Sequence, residues 1–112
     1  MILWHNPRCT KSRQTLALLQ ENGVEPTIRL YLQDPPDTSE IRAVLAKLDI
    51  APIAMLRVKE KAFKEAGLSR DSDDDTLIAA MAETPILIER PIAITDTRAA
   101  IGRPPEDVLT LL

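Results

Sequence analysis

The chain has 112 residues, 45% of them hydrophobic and 28% charged, with a net charge of −3. This size fits one domain with one core, residues 1–112, and the slightly acidic balance gives no reason to expect nucleic acid or an acidic membrane as a partner. No apolar run approaches the roughly 18 residues of a membrane span, and the N-terminal residues lack a signal-peptide pattern, so we expect a soluble cytoplasmic protein.

The first third of the chain is typical of a βαβ unit. Residues 1–4 are a short apolar run that predicts a strand, and helical spacing then covers about residues 11–22 until Gly23. Residues 26–32 combine β-branched, aromatic and aliphatic side chains, which favours a second strand. The linking helix predicts that the two strands are parallel neighbours. Its inward-facing residues are predicted to be Leu16, Ala17 and Leu19.

The middle of the chain is predicted to be a helical insertion over about residues 38–82. Residues 34–37 (DPPD) end the second strand, and Thr38 or Ser39 is predicted to cap the next helix. That helix carries on one face Ile41, Val44, Leu45 and Leu48.

Three further helical segments are predicted within the insertion. The first covers residues 52–56, and the second covers 59–66 and ends at Gly67. The third begins at Ser72 or Asp73 and continues past residue 80. We interpret the acidic run around its start as part of a helix N-terminus and not as a metal site, because consecutive aspartates point in divergent directions.

The last third predicts two strands and a short helix. Residues 86–89 (ILIE) and 92–95 (IAIT) are strand-like and are separated by Arg90 and Pro91, which predicts an antiparallel hairpin. Residues 102–112 contain prolines at a predicted helix start. The order β-α-β, helical insertion, β-β-α predicts an α/β protein with a thioredoxin-like, four-stranded mixed sheet, the insertion lying between its two halves.

Residues 5–13 (HNPRCTKSR) are the candidate site. Cys9 is the only cysteine of the chain, and it precedes the first predicted helix. Several neighbouring groups would stabilise a thiolate at Cys9. They are the unpaired N–H groups at a helix start, three nearby cations, the hydroxyls of Thr10 and Ser12, and His5. We therefore predict a depressed thiol pKa and a nucleophilic role for Cys9.

Each of these side chains also has a structural interpretation. A lone cysteine is often a small buried hydrophobe, although the polar and cationic neighbours of Cys9 make that a poor account here. His5 could hydrogen-bond the thiolate or anchor the loop backbone. With one cysteine the chain has no internal disulfide, and we expect neither a bound metal nor a bound cofactor.

The loop HNPRCTKSR resembles the active-site loop of the glutaredoxin-coupled, ArsC-like arsenate reductase family. Further matches follow in the same order along nearly the whole chain. They are residues 25–28 (EPTI) with 31–32 (YL), the turn 35–36 (PP), 56–57 (LR), 85–92 (PILIERPI), and 103–104 (RP) with 108–109 (VL). The resemblance implies the thioredoxin-like fold with a helical insertion that the pattern also predicts.

The resemblance also implies roles for individual residues. Cys9 is implied as the nucleophile, with His5 and Ser12 at positions that tune its thiol. An oxyanion site is implied around it, formed by Arg57, Arg90 and Arg103. Pro91 is implied to be a cis-proline facing the cysteine. Guanidinium groups suit this role, because arsenate resembles phosphate in shape and charge and paired N–H donors match its oxygens.

The implied activity is reduction of arsenate to arsenite through an arsenylated Cys9. Glutathione would attack the adduct and glutaredoxin would supply further electrons, because Ser12 stands where a dithiol enzyme has its second cysteine. We expect a monomer. Two alternatives stay open at this point: an Spx-type regulator that binds RNA polymerase, and a glutathione-dependent thiol transferase that does not act on arsenate.

Overall fold

The computed structural model describes residues 1–112, which form two compact units. Unit 1 contains Met1–Asp34 and Arg90–Leu112, and unit 2 contains Pro35–Glu89. The predicted insertion of about residues 38–82 lies inside unit 2. The assignment of all 112 residues to one domain stays a prediction.

Unit 1 is built on a four-stranded mixed sheet. Its strands are β1 (Ile2–Trp4), β2 (Thr27–Arg29), β3 (Ile92–Ile94) and β4 (Ala99–Ile101), in the order β2-β1-β3-β4. β1 is parallel to β2, with Leu3 opposite Ile28, and antiparallel to β3, with Leu3 opposite Ala93. Helix α1 (Thr10–Glu21) connects the parallel pair. The βαβ unit and the thioredoxin-like sheet are therefore confirmed.

Helix α1 confirms two of the three predicted inward-facing residues. Leu19 is fully buried and the half-buried Leu16 packs against the core, but Ala17 is exposed, so the prediction for Ala17 is wrong. The buried stripe runs through Ser12, Thr15 and Leu19, at helical spacings of three and four residues. At about 100° per residue, position 17 falls on the opposite side of the helix from this stripe. Two polar side chains thus occupy positions that hydrophobicity alone cannot identify.

The apolar core of unit 1 lies between α1, the sheet and the C-terminal segment. One buried cluster joins Leu3, Leu19, Ala93 and Val108. Val108 belongs to a 3₁₀ helix (Pro105–Leu111), which starts at a proline as the sequence predicts. This packing fixes α1, and with it the loop that precedes α1, against the centre of the sheet.

The antiparallel hairpin lies further along the chain than predicted. Residues 85–87 form a 3₁₀ turn with Pro85 at its start, and Ile88 makes only an isolated bridge to Leu56, so the predicted strand at 86–89 is wrong. The hairpin instead pairs β3 with β4, with Ala93 opposite Ala100. A proline at the first helical position favours a turn over a strand, and strand β4, with only three residues, has too little pattern to be recognised.

Unit 2 consists of helices α2 (Thr38–Leu48), α3 (Lys61–Glu65) and α4 (Asp74–Glu83), with 3₁₀ turns at Pro52–Met55 and Pro85–Leu87. Buried residues of α2 and α4, such as Ile41 and Leu77, belong to its core. Arg42 in α2 and Asp75 in α4 form an exposed ion pair at 2.8 Å. None of the helices is long and apolar enough to cross a membrane.

Aspartates start the two long helices of unit 2. α2 is capped by Asp37, in a reciprocal capping box with Glu40, so the predicted cap at Thr38 or Ser39 is wrong by one or two residues. α4 is capped by Asp73, whose carboxylate accepts from the Thr76 N–H at 2.8 Å. That bond lowers the pKa of the Asp73 carboxyl. The acidic run therefore has a structural role at a helix start, and no group of three or more His, Cys, Asp or Glu side chains is placed to hold a metal ion.

Candidate active site

Cys9 lies where the loop after β1 becomes helix α1. It is the N-cap residue and its backbone is extended. The Cys9 N–H donates to the Asn6 carbonyl at 2.9 Å and closes a turn over residues 6–9, while the Arg13 N–H donates to the Cys9 carbonyl at 3.0 Å. The half-buried sulfur is therefore attached to the first residue of a helix whose leading N–H groups have no intrahelical partner.

The surroundings of Cys9 favour its thiolate. Burial is the largest single influence and raises the pKa of the Cys9 thiol, but the backbone N–H of Ser12, the charge of Arg90 and the backbone N–H of Lys11 together outweigh it. A hydrogen bond from the Arg90 side chain acts in the same direction and also lowers the pKa of the Cys9 thiol. The net pKa lies below the ordinary value, which increases the fraction of nucleophilic thiolate near neutral pH.

Two of the groups that the sequence places beside the thiolate, Arg13 and Thr10, bond to the loop and to each other instead. The guanidinium of Arg13 donates to the Pro7 carbonyl at 2.9 Å and to the Thr10 hydroxyl at 3.1 Å. Arg13 thus bridges the loop and the first turn of α1. The cation that acts directly on the sulfur is Arg90, which is remote in sequence.

His5 and Ser12 form a buried pair behind the loop. His5 Nδ1 and Ser12 Oγ are 2.6 Å apart, and the same hydroxyl accepts from the Asn6 N–H at 3.0 Å. Burial, followed by the charge of Arg13, lowers the pKa of His5, so its imidazole is neutral at neutral pH. Of the two roles that the sequence leaves open for His5, this geometry matches anchoring of the loop backbone.

Residues 90–104 supply the second half of the site. The Arg90–Pro91 peptide bond is cis, as the resemblance implies, and the Arg103–Pro104 bond, for which no isomer was predicted, is cis as well. The exposed side chain of Arg103 donates to the Arg90 carbonyl at 3.1 Å. The structure therefore brings Cys9, Arg90 and Arg103 together through contacts within unit 1.

Gly102 and Thr15 pack beside Pro91 at the candidate site, and the sequence did not predict a role for either residue. The Gly102 N–H donates to the Pro91 carbonyl at 2.9 Å. A Cβ atom at Gly102 would lie 2.5 Å from Thr15 Oγ1 and 2.8 Å from Pro91 Cγ, both closer than real Cβ atoms approach their neighbours. Thr15 is held in place because its hydroxyl donates to the Lys11 carbonyl at 2.8 Å. A glycine directly before Arg103 was the only signal in the sequence.

Arg57, the third predicted arginine, belongs to unit 2. Its side chain is an ion-pair partner of Glu60 at 3.1 Å and reaches the Ile86 carbonyl at 3.4 Å. Its backbone N–H donates to the Leu87 carbonyl at 2.8 Å. These bonds fix Arg57 beside the turn that starts at Pro85, and its part in an oxyanion site stays a prediction.

Known proteins resemble this chain over almost its entire length. An uncharacterized protein of Escherichia coli K12, YfgD, is 46% identical over 98% of this chain and 94% of its own length. An arsenate reductase of Neisseria meningitidis is 44% identical over 98% of this chain and 96% of its own length. A solved structure of an arsenate reductase from Vibrio cholerae superposes with a TM-score of 0.95 at 45% identity, covering 99% of this chain and 96% of that one.

The match to a protein-family model agrees with these relatives. The ArsC family model matches residues 4–111, a range that includes the Cys9 loop, all of unit 2, most of unit 1 and the segment around Arg103. The relatives match almost the whole chain in sequence, and the solved structure shares its whole fold. The chain belongs to the ArsC family.

Proposed function

We propose that this chain is an arsenate reductase that uses Cys9 as its nucleophile. The observation that carries the proposal is the Cys9 sulfur at the start of α1, where two backbone N–H groups and Arg90 favour its anion. The arsenate reductases of Neisseria meningitidis and Vibrio cholerae, at 44% and 45% identity over nearly the full length, support the choice of substrate.

The first step joins sulfur to arsenic. The Cys9 thiolate attacks the arsenic atom, a sulfur–arsenic bond forms, and one arsenate oxygen leaves as water after protonation. The guanidinium groups of Arg90 and Arg103 bind the oxyanion and offset its repulsion of the thiolate, while the part that the resemblance implies for Arg57 stays a prediction. Support for Arg90 comes from its charge, which lowers the pKa of the Cys9 thiol, and support for Arg103 comes from its hydrogen bond to the Arg90 carbonyl.

The second step moves two electrons to arsenic and needs an external thiol, since the chain has one cysteine. The sulfur of glutathione attacks the Cys9 sulfur and forms a mixed disulfide, while the sulfur–arsenic bond breaks and its electron pair stays on arsenic, which leaves as arsenite. A second thiol, delivered through glutaredoxin, then reduces the mixed disulfide and restores Cys9. The two thiols end as one disulfide, and no bound cofactor is required.

Ser12 separates this proposal from a dithiol switch. The position where a Cys-x-x-Cys pair has its second sulfur is fully buried here and holds a hydroxyl bonded to His5 and to the Asn6 N–H. The Ser12 side chain therefore has an anchoring role and cannot close a disulfide with Cys9.

The test is steady-state arsenate reduction by the purified protein, with glutathione alone and with glutathione plus glutaredoxin. We expect arsenite release that requires glutathione, rises with glutaredoxin and disappears in the Cys9→Ser variant. Turnover of a glutathione mixed disulfide without any arsenite would instead identify a thiol transferase. An absence of both activities beside capture of RNA polymerase would identify a regulator.

A further inference from the structure

A cavity of about 270 Å³ opens in unit 1 beside the loop that carries Cys9. Its lining residues are His5, Asn6, Pro7 and Arg8 from the loop, and Leu30, Leu32 and Gln33 from the segment after β2. Because β1 and β2 are parallel, both walls follow the carboxyl ends of neighbouring strands. That edge of an α/β sheet is where ligands commonly bind. Arg90 and Arg103 do not line this cavity, which below is called the loop cavity.

Arg8 gives the loop cavity a positive charge that no protein group neutralises. Its backbone N–H donates to Asn6 Oδ1 at 3.0 Å, but its exposed guanidinium has neither an ion pair nor a hydrogen bond. Two other cations of unit 1 are engaged: Arg13 binds the loop, and Arg29 is 3.5 Å from the Asp34 carboxylate. No acidic residue lines the cavity. Its chemistry therefore suits a carboxylate, which a planar guanidinium binds with paired N–H groups.

The remaining walls suit a peptide. The side-chain amide of Gln33 can both donate to and accept from a peptide group, and the Asn6 amide keeps its N–H donors available. Leu32, 42% exposed, supplies an apolar surface next to these amides. A small oxyanion such as arsenate would match only the positive charge of this lining. A short peptide with a free carboxylate matches the charge, the side-chain amides and the apolar surface.

We infer that the loop cavity binds the carboxylate and peptide groups of a small peptide thiol, of the glutathione class, which reduces the Cys9 adduct. This inference rests on the proposed function, in which such a thiol attacks the Cys9 sulfur as the sulfur–arsenic bond breaks. Arg8 and Cys9 are adjacent, so their Cα atoms are about 3.8 Å apart, and an extended tripeptide spans roughly 10 Å. Cys9 itself does not line the cavity, but a ligand of that length held by Arg8 is long enough to reach this neighbouring residue.

The kinetic test uses Arg8→Gln and a matched control, Arg98→Gln. Arg98 is also exposed and belongs to unit 1, but it lies in the turn between β3 and β4, at the end of the sheet opposite to the Cys9 loop. We expect Arg8→Gln to raise the KM for glutathione about tenfold, as the loss of a hydrogen-bonded charge would, with the KM for arsenate unchanged. Arg98→Gln should leave both constants unchanged. An unaltered glutathione KM in Arg8→Gln, or an equal rise in the arsenate KM, would overturn the inference.

A binding measurement separates the cavity from the reaction. S-methylglutathione, which has no free thiol, is titrated into the Cys9→Ser protein while the side-chain amide signals of Asn6 and Gln33 are followed by NMR. We expect both signals to shift and the apparent Kd to rise about tenfold in the Arg8→Gln background. Binding of this kind without arsenate reduction would support the cavity while the proposed function fails. Arsenate reduction by a protein whose amide signals do not shift would overturn the cavity alone.

Discussion

Replacement of Gly102 by alanine should disturb both the stability of unit 1 and the chemistry of Cys9. The new Cβ would lie 2.5 Å from Thr15 Oγ1 and 2.8 Å from Pro91 Cγ, so neighbouring atoms would have to move by roughly 1 Å to reach ordinary contact distances. Neither neighbour can move away easily, because the Thr15 hydroxyl is hydrogen-bonded to the Lys11 carbonyl and the Pro91 side chain is a closed ring. Overpacking of this kind costs about 1–3 kcal/mol.

For a chain of this size that cost corresponds to a fall in Tm of roughly 4–12 °C. Because the displaced groups belong to α1 and to the residue after Arg90, the variant should also weaken the contact between Arg90 and the Cys9 sulfur. We therefore expect a higher thiol pKa, measured as the midpoint of iodoacetamide alkylation against pH.

Gly23→Ala is the matched control for this substitution. Gly23 has a positive φ of 79° but no atom near the position of a new Cβ. Its replacement should cost about 1 kcal/mol through backbone conformation alone and leave the thiol pKa unchanged. Thr15→Ala should partly rescue Gly102→Ala, since it removes the closest clash. Wild-type stability and thiol pKa in Gly102→Ala would refute the steric account.

Three further outcomes are expected. Arg90→Gln should raise the alkylation midpoint of Cys9 toward the ordinary 8.5, while Arg98→Gln should not; equal midpoints would contradict a role for Arg90. Cys9→Ser should abolish arsenite formation and change the thermal midpoint little, because the sulfur is only half-buried; a large loss of stability would instead indicate a core residue. Burial and the charge of Arg13 lower the pKa of His5, so near pH 6.5 the imidazole binds a proton in the unfolded chain but not in the folded chain. Stability should accordingly fall as pH drops from about 6.5 toward the folded-state pKa, and urea midpoints for His5→Asn should lack that fall.

The sequence predicted those parts of the fold that depend on local pattern. The parallel β1 and β2 and the helix between them follow from runs of apolar residues and a stop at Gly23, whose φ of 79° suits a helix end. The hairpin was misplaced because residues 86–89 are apolar enough for a strand, whereas Pro85 starts a turn there. Strand β4 has three half-buried residues, and its pairing with β3 is set by the sheet and not by its own pattern.

The same distinction between local pattern and long-range contact applies to the candidate site. Cys9 was found from its neighbours, because a lone cysteine among cations at a helix start is a local signal. Its strongest charged partner, Arg90, is 81 positions away and needed the family resemblance. The buried roles of Ser12 and Thr15 were invisible for another reason: hydrophobic periodicity does not register a polar side chain whose hydrogen bonds are made inside the fold.

Activation of Cys9 therefore depends on how closely two distant segments approach each other. The backbone N–H groups of Lys11 and Ser12 belong to helix α1 and lower the thiol pKa, but burial of Cys9 raises that pKa and opposes them. Arg90 adds both charge and a hydrogen bond, and it reaches the sulfur only while its segment stays against α1. Gly102 has no side chain between Thr15 and Pro91, where a Cβ atom would clash with both residues. We therefore expect a substitution at Gly102 to change the reactivity of the sulfur although the new side chain would not touch it.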